Sequence, residues 1–107
     1  MDTTYIANEP PLPAGVTVHT RADGYLEVVG IFKSRRKQIL KEVGLTRADL
    51  KQASDAIKTW LKGPKRQEVA RVQCSYRTLQ DAVFAASVEV QCQVEQEEEI
   101  AEELRSA

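Results

Sequence analysis

The sequence predicts an α+β fold in which an N-terminal β-hairpin packs on a basic helical hairpin and a long C-terminal amphipathic helix follows. Residues 15–32 alternate apolar and polar side chains around an Asp-Gly turn, and residues 33–64 show two helical patterns with end signals. After Pro64, apolar residues recur every three or four positions. These patterns divide the chain into an extended arm (1–14), the two hairpins (15–64), the long helix (65–95) and an acidic tail (96–107).

The predicted β-hairpin depends on alternation and on one turn. Val16 and Val18 alternate with polar neighbours, Asp23-Gly24 supplies the turn, and a second apolar run follows. Three prolines in residues 1–14 block regular hydrogen bonding and favour an extended arm before the hairpin. Because an isolated two-stranded hairpin is marginal in water, it must pack on the helices or pair with a further strand.

The helical hairpin is predicted from its end signals. Ser34 is a suitable cap for the first helix, and Gly44 stands where a helix ends in a left-handed residue. The second helix is predicted over 47–62, since a capping threonine precedes it and a Gly-Pro pair follows it. Its apolar residues include Ile57 and Trp60, and we expect Trp60 to anchor the core between the β-hairpin and the helices.

Two periods fit the residues after Pro64. The alternation of apolar and polar residues at 72–76 and 88–94 is typical of strands, and a strand at 87–95 would complete the sheet. The helix is favoured because residues 78–86 are rich in helix formers and contain no turn residues. Its stripe consists of seven residues separated by three or four positions: Val72, Tyr76, Leu79, Val83, Ala86, Val90 and Val94.

A helix of this length extends past a core made from one hairpin and two short helices, so part of its stripe needs cover from another chain. We therefore expect a homodimer whose oligomerisation residues are Val72, Tyr76, Leu79, Val83, Val90 and Val94. The glutamate-rich segment 96–107 is expected to be a fraying helix or a disordered tail. Such a segment either competes with nucleic acid for the basic helices, docks on a basic partner, or serves as a solubilising end.

Charge is strongly segregated along the chain. Residues 33–66 contain eleven lysines and arginines against three acids, whereas the formal net charge of the whole chain is −1. The segments 1–32, 33–66 and 67–107 carry −3, +8 and −6. A basic middle is therefore flanked by acidic ends, and we expect the basic surface to be functional.

Several functional classes receive no support from the residues. The sequence has no Gly-x-Ser-x-Gly elbow and no phosphate-binding glycine-rich loop, and no residue is placed to orient His19, so we expect neither an enzyme nor a cofactor. With one histidine, Cys74 and Cys92 are too few for a zinc site, so we expect no metal. Without a readable signal peptide or membrane span, we expect no membrane partner and a cytoplasmic protein with reduced thiols.

Residues 38–50 resemble the helix-turn-helix motif of DNA-binding proteins. Ile39, the Val-Gly-Leu turn at 43–45, Thr46 and Leu50 stand at matching positions. The resemblance implies that the second helix enters the major groove. It also implies base contacts from Arg47, Lys51 and Gln52, with phosphate contacts from Ser34, Arg35, Arg36 and Lys37. An ordinary helical hairpin with a glycine turn has the same pattern.

Two functional hypotheses follow. The first is a small non-catalytic regulator that binds nucleic acid through the basic helical hairpin, and DNA is the expected nucleic acid. The second is a protein-interaction module, an adaptor or inhibitor that docks on another protein through its helical faces. The charge distribution favours the first hypothesis.

Overall fold

The computed structural model describes residues 12–45 and 47–106, with the backbone alone at 47 and 48. Most of the arm predicted at 1–14 and the capping residue Thr46 therefore lie outside the described residues. The elements in chain order are β1 (Val16–Thr20), β2 (Leu26–Lys33), α1 (Arg36–Val43), α2 (Arg47–Leu50), α3 (Asp55–Lys62), β3 (Arg66–Cys74), a 3₁₀ turn (Tyr76–Thr78) and α4 (Leu79–Arg105). This arrangement confirms the α+β class, the N-terminal hairpin and the long C-terminal helix.

The three strands form an antiparallel sheet in the order β1-β2-β3. In the predicted hairpin, Val16 faces Gly30 and Thr20 faces Leu26. The β2–β3 ladder runs from Leu26 opposite Cys74 to Lys33 opposite Arg66, with a bulge between Gly30 and Ile31. The hairpin thus obtains the further strand that its marginal stability requires.

That third strand comes from residues 66–74, and this corrects the prediction of one helix over 65–95. The alternation around residues 72–76 was the valid strand signal, whereas the alternative strand at 87–95 is wrong because those residues are helical. The helix starts after a capping box in which Ser75 and Thr78 each satisfy the other's backbone N–H. The box ends the strand and starts the helical segment.

The second predicted helix is also corrected, since residues 47–62 form two helices. Ser54 adopts an extended conformation, and its hydroxyl accepts a hydrogen bond from the backbone N–H of Ile57 at 3.4 Å. Because this serine caps a new helix, the chain turns at residues 51–54. The predicted ends at Gly44 and Gly63 are confirmed, and Gly44 adopts the left-handed conformation with φ 71°.

Helix α4 joins two buried clusters. Its first half packs on the sheet, where Ala86 is fully buried beside Leu26 and Val28. Its second half packs on α1 and α3, which we call the helical layer. Leu104 lies there in one buried cluster with Ile39 and Ile57. The predicted acidic tail is therefore the last part of this helix through Arg105, and its apolar residues belong to the core.

Trp60 packs in the helical cluster and is half-buried, so the prediction that it joins hairpin and helices is wrong.

Candidate nucleic-acid interface

The end of the β2–β3 ladder, the start of α1 and the end of α3 meet at one junction. The backbone N–H of Ser34 donates to the carbonyl of Lys65 at 2.8 Å. The guanidinium of Arg36 donates to the carbonyls of Trp60 and Gly63 at 2.9 and 2.7 Å. An arginine in this position donates to carbonyls at the C-terminal end of α3, where the helix dipole also favours a cation. These contacts hold residues 33–37 beside residues 60–66.

Glu97 of α4 fixes this junction through hydrogen bonds to its residues. Its side chain is 4% exposed, and its carboxylate accepts hydrogen bonds from the hydroxyl of Ser34, the backbone N–H of Arg35 at 2.8 Å and the indole N–H of Trp60 at 2.9 Å. Three donors around one carboxylate satisfy its charge where water has little access. The backbone N–H of Arg35 lies at the start of α1, where the helix dipole also favours an anion.

Six exposed cations lie on residues that flank the junction, and we call them the basic junction: Lys33, Arg35, Lys37, Lys62, Lys65 and Arg66. Lys33 and Arg66 are directly opposite each other at the end of the ladder. Like charges in this position repel and reduce stability. Among the described residues, no ion pair neutralises either of them. Their charge is therefore displayed to solvent.

Two arginines at other positions of the sheet region, Arg21 and Arg71, are neutralised by acids. Arg71 pairs with Glu27 at 2.6 Å and with Glu68, and these hydrogen bonds raise its pKa above the ordinary value. Arg21 pairs with Asp23 at 3.3 Å. Around Arg21 and Arg71 the cations are balanced locally, which contrasts with the basic junction.

The acidic end of α4 reaches one member of the basic junction. Glu98 pairs with Arg35 at 3.0 Å and with Arg105 at 2.8 Å. The hydrogen bond from Arg105, followed by the charges of Arg105 and Arg35, holds the pKa of Glu98 below its ordinary value. Glu98 is therefore ionised at neutral pH and neutralises part of the charge of Arg35.

The four predicted phosphate-contact residues have different roles in the structure. Ser34 is half-buried on Glu97, and its hydroxyl also accepts from the N–H of Arg36 at 3.1 Å. Arg36 is half-buried and engaged with carbonyls, so both residues serve the fold. Arg35 and Lys37 are exposed. Two of the four therefore remain available to a phosphate.

The three predicted base-contact residues lie in the region where the predicted second helix is divided into α2 and α3. Helix α2 has four residues, little more than one turn, and the side chain of Arg47 lies outside the described residues. Lys51 and Gln52 are exposed in the turn after α2. Gln52 lines a cleft of about 580 Å³ between this turn and the end of α4. The structure thus places Lys51 and Gln52 on a turn rather than on a helix.

The predicted oligomerisation residues lie mainly against the sheet of the same chain. Leu79 and Val90 are buried there, and Val72 and Val83 pack against the same cluster while remaining half-buried. Tyr76 and Val94 are exposed, at 52% and 39%. Cover from a second chain is therefore not required for Leu79 or Val90, and the homodimer stays a prediction.

Sequence reasoning missed Glu97 and the pairing of Lys33 with Arg66. Glu97 stands in a run of glutamates, and its partners Ser34 and Trp60 are far from it in sequence. The Lys33–Arg66 pair becomes visible once residues 66–74 are recognised as a strand. The sequence contains a signal for the limits of this strand, since Pro64 precedes it and the capping residue Ser75 follows it.

Two absences concern residues 12–45 and 47–106, which the structure describes. No group of three or more histidine, cysteine, aspartate or glutamate side chains there is arranged to hold a metal ion. In the same part of the chain, every helix is too short or too polar to cross a membrane.

Comparisons of the sequence and of the structure with protein-family models, with curated proteins and with solved structures gave no significant match.

Proposed function

We propose that this protein is a small non-catalytic nucleic-acid-binding protein that contacts the phosphates of duplex DNA through the basic junction. The observation that carries the proposal is the in-register pair of Lys33 and Arg66 without a neutralising acid among the described residues. Repulsion across this pair is relieved when a polyanion binds, because phosphate oxygens then occupy the space between the two cations.

The scaffold supports this role because it holds the cations on regular elements. Lys33 and Arg66 extend from paired strands, Lys37 stands in the first turn of α1, and Lys62 ends α3. Arg36 and Glu97 fix these elements to each other through the hydrogen bonds described above. A preorganised set of cations binds phosphates with less loss of side-chain and backbone entropy than a flexible basic tail.

Removing the central pair tests the proposal. We expect Lys33→Ala combined with Arg66→Ala to weaken binding to a short DNA duplex and to reduce the slope of log K against log salt by about 2, since each phosphate contact contributes about 0.9 to that slope. Fluorescence anisotropy at several salt concentrations measures both quantities.

The matched control replaces Arg21 and Arg71 by alanine. It removes the same charge from the face of the sheet where both arginines are ion-paired. We expect a smaller loss of affinity and an unchanged salt slope. Equal effects of the two double variants, or no binding of the wild type at low salt, would contradict the proposal and favour the protein-interaction hypothesis.

A second prediction follows from the contact between Glu98 and Arg35. Because Glu98 neutralises part of the charge of Arg35, we expect Glu98→Ala to strengthen duplex binding by roughly two- to fivefold, the scale of an exposed ion pair. The control is Glu99→Ala, which removes the same charge from the next residue, exposed and without a recorded contact to the junction in the described part of the chain. If both variants strengthen binding equally, net charge alone explains the gain and the local competition is wrong.

A further inference from the structure

The outer side of α4 carries an apolar patch that faces away from the sheet. Phe84 is 71% exposed and Val88 is 43% exposed, whereas Ala82, Ala86 and Val90 of the same helix are buried against the sheet. Phe84 has the largest exposed fraction among the large hydrophobic side chains recorded as exposed in the described residues. Large exposed apolar side chains that are neighbours on a helix, at positions i and i+4, mark an interaction surface more often than isolated ones do.

The residues before and after this patch continue one heptad stripe. From the 3₁₀ turn into α4, exposed residues recur at spacings of four and three alternately: Arg77, Asp81, Phe84, Val88, Gln91 and Glu95. This is the spacing by which two helices pack along a common seam. We call these six residues the outer ridge. Its apolar centre is flanked by polar and charged residues, as in a small interface with a polar rim.

The outer ridge is complementary to itself when two copies pack antiparallel. With a two-fold axis at the level of residue 86, Phe84 of one copy faces Val88 of the other, and Asp81 faces Gln91. Arg77 then faces Glu95, so opposite charges meet at both ends of the seam. A two-fold axis makes each of these contacts twice.

The parallel arrangement lacks this complementarity. Each residue would face its own copy, which brings together two arginines at 77, two aspartates at 81 and two glutamates at 95. Like charges along a helical seam select against a pairing mode. Among the described residues no ion pair engages Arg77, Asp81 or Glu95, so no described side chain neutralises their charges.

We propose that the outer ridge is the docking surface for a second copy of this chain, packed antiparallel about residue 86. This surface differs from the stripe that the sequence predicted, most of which packs on the sheet. The proposal does not rest on nucleic-acid binding, but a two-fold dimer presents two basic junctions on one assembly. Six residues a side, against about 20–30 in a standard interface, give a weak dimer whose population depends on protein concentration.

Sedimentation equilibrium of the full chain over about 10 μM to 1 mM measures this association, a range in which a weak interface is partly populated. We expect a monomer–dimer equilibrium in the wild type. Phe84→Ser should weaken it by at least about tenfold, because it removes the centre of the interface. The control Tyr25→Ser replaces an exposed aromatic residue of the β-hairpin and should leave the association unchanged.

Charge reversal distinguishes the antiparallel dimer from other associations. Arg77→Glu and Glu95→Arg should each weaken the dimer, since each converts both end contacts into repulsion. The two changes together restore opposite charges and should return the association constant to near the wild-type value. Circular dichroism checks that each variant is folded. A wild-type monomer at every concentration, or a double variant no tighter than the single ones, would overturn the proposal.

Discussion

Glu97→Ala is expected to destabilise the protein by about 2–4 kcal/mol, since it leaves three donors around a buried site without their acceptor. Two of these donors directly precede α1 and the third lies in α3, so the loss falls on the contact that fixes these helices to α4. Urea unfolding measures the change. Fluorescence of Trp60, the single tryptophan, reports on the helical layer, and circular dichroism reports on the whole chain.

Two further variants separate charge from volume at this site. Glu97→Gln keeps the shape and one carbonyl oxygen but places an amide N–H₂ against one of the donors, so we expect an intermediate loss of stability. Glu99→Ala removes the same number of atoms as Glu97→Ala from an exposed position of the same helix and should change stability by less than about 0.5 kcal/mol. Unfolding free energies of Glu97→Ala and Glu99→Ala that agree would show that Glu97 is not a structural anchor.

Ala86→Leu should destabilise the sheet side of the molecule by about 3 kcal/mol, through overpacking. Ala86 is fully buried where α4 crosses β2. The approach is close because Gly30 has no side chain: a Cβ at Gly30 would lie 3.1 Å from Val90 and 3.2 Å from the carbonyl oxygen of Ala86. The larger side chain must therefore push the helix away from the sheet.

The adjacent residue provides the control, because Ala85 is exposed on the other side of the helix. Ala85→Leu makes the same chemical change with the same effect on helix propensity, and we expect little change in the thermal midpoint. If both variants unfold at the same temperature as the wild type, then α4 is not closely packed on the sheet.

Features with local causes could be predicted from the sequence. The hairpin turn at Asp23-Gly24 and the helix end at Gly44 need particular backbone conformations that a few neighbouring residues determine. The long helix was predicted from periodicity, but its start was misplaced because the strand at 66–74 is stabilised by pairing with β2, far away in sequence. The break at Ser54 has a local signal, because Ser54-Asp55 is a typical helix start. The three- and four-residue spacing of the apolar side chains continues across this position and therefore favoured a single helix.

The candidate site was predictable as a charged region but not as a geometry. The concentration of cations in 33–66 follows from the sequence, and so does the exposure of Lys37. Which cations remain available depends on Glu97 and Glu98, more than sixty residues from Ser34 and Arg35. A helix-turn-helix pattern treats Arg36 as a phosphate contact, whereas its contacts with the end of α3 are visible only in the folded chain.

The position of the nucleic-acid contact is tested most directly by the backbone amide chemical shifts of the wild-type protein during titration with a short DNA duplex. We predict that the largest changes cluster in residues 33–37 and 62–66, the two segments that contain the basic junction. We also predict that amides near Arg21 and Arg71, whose side chains are ion-paired, change little. The largest changes near Arg21 and Arg71, or no change at low salt, would contradict the assignment of the basic junction as the nucleic-acid interface.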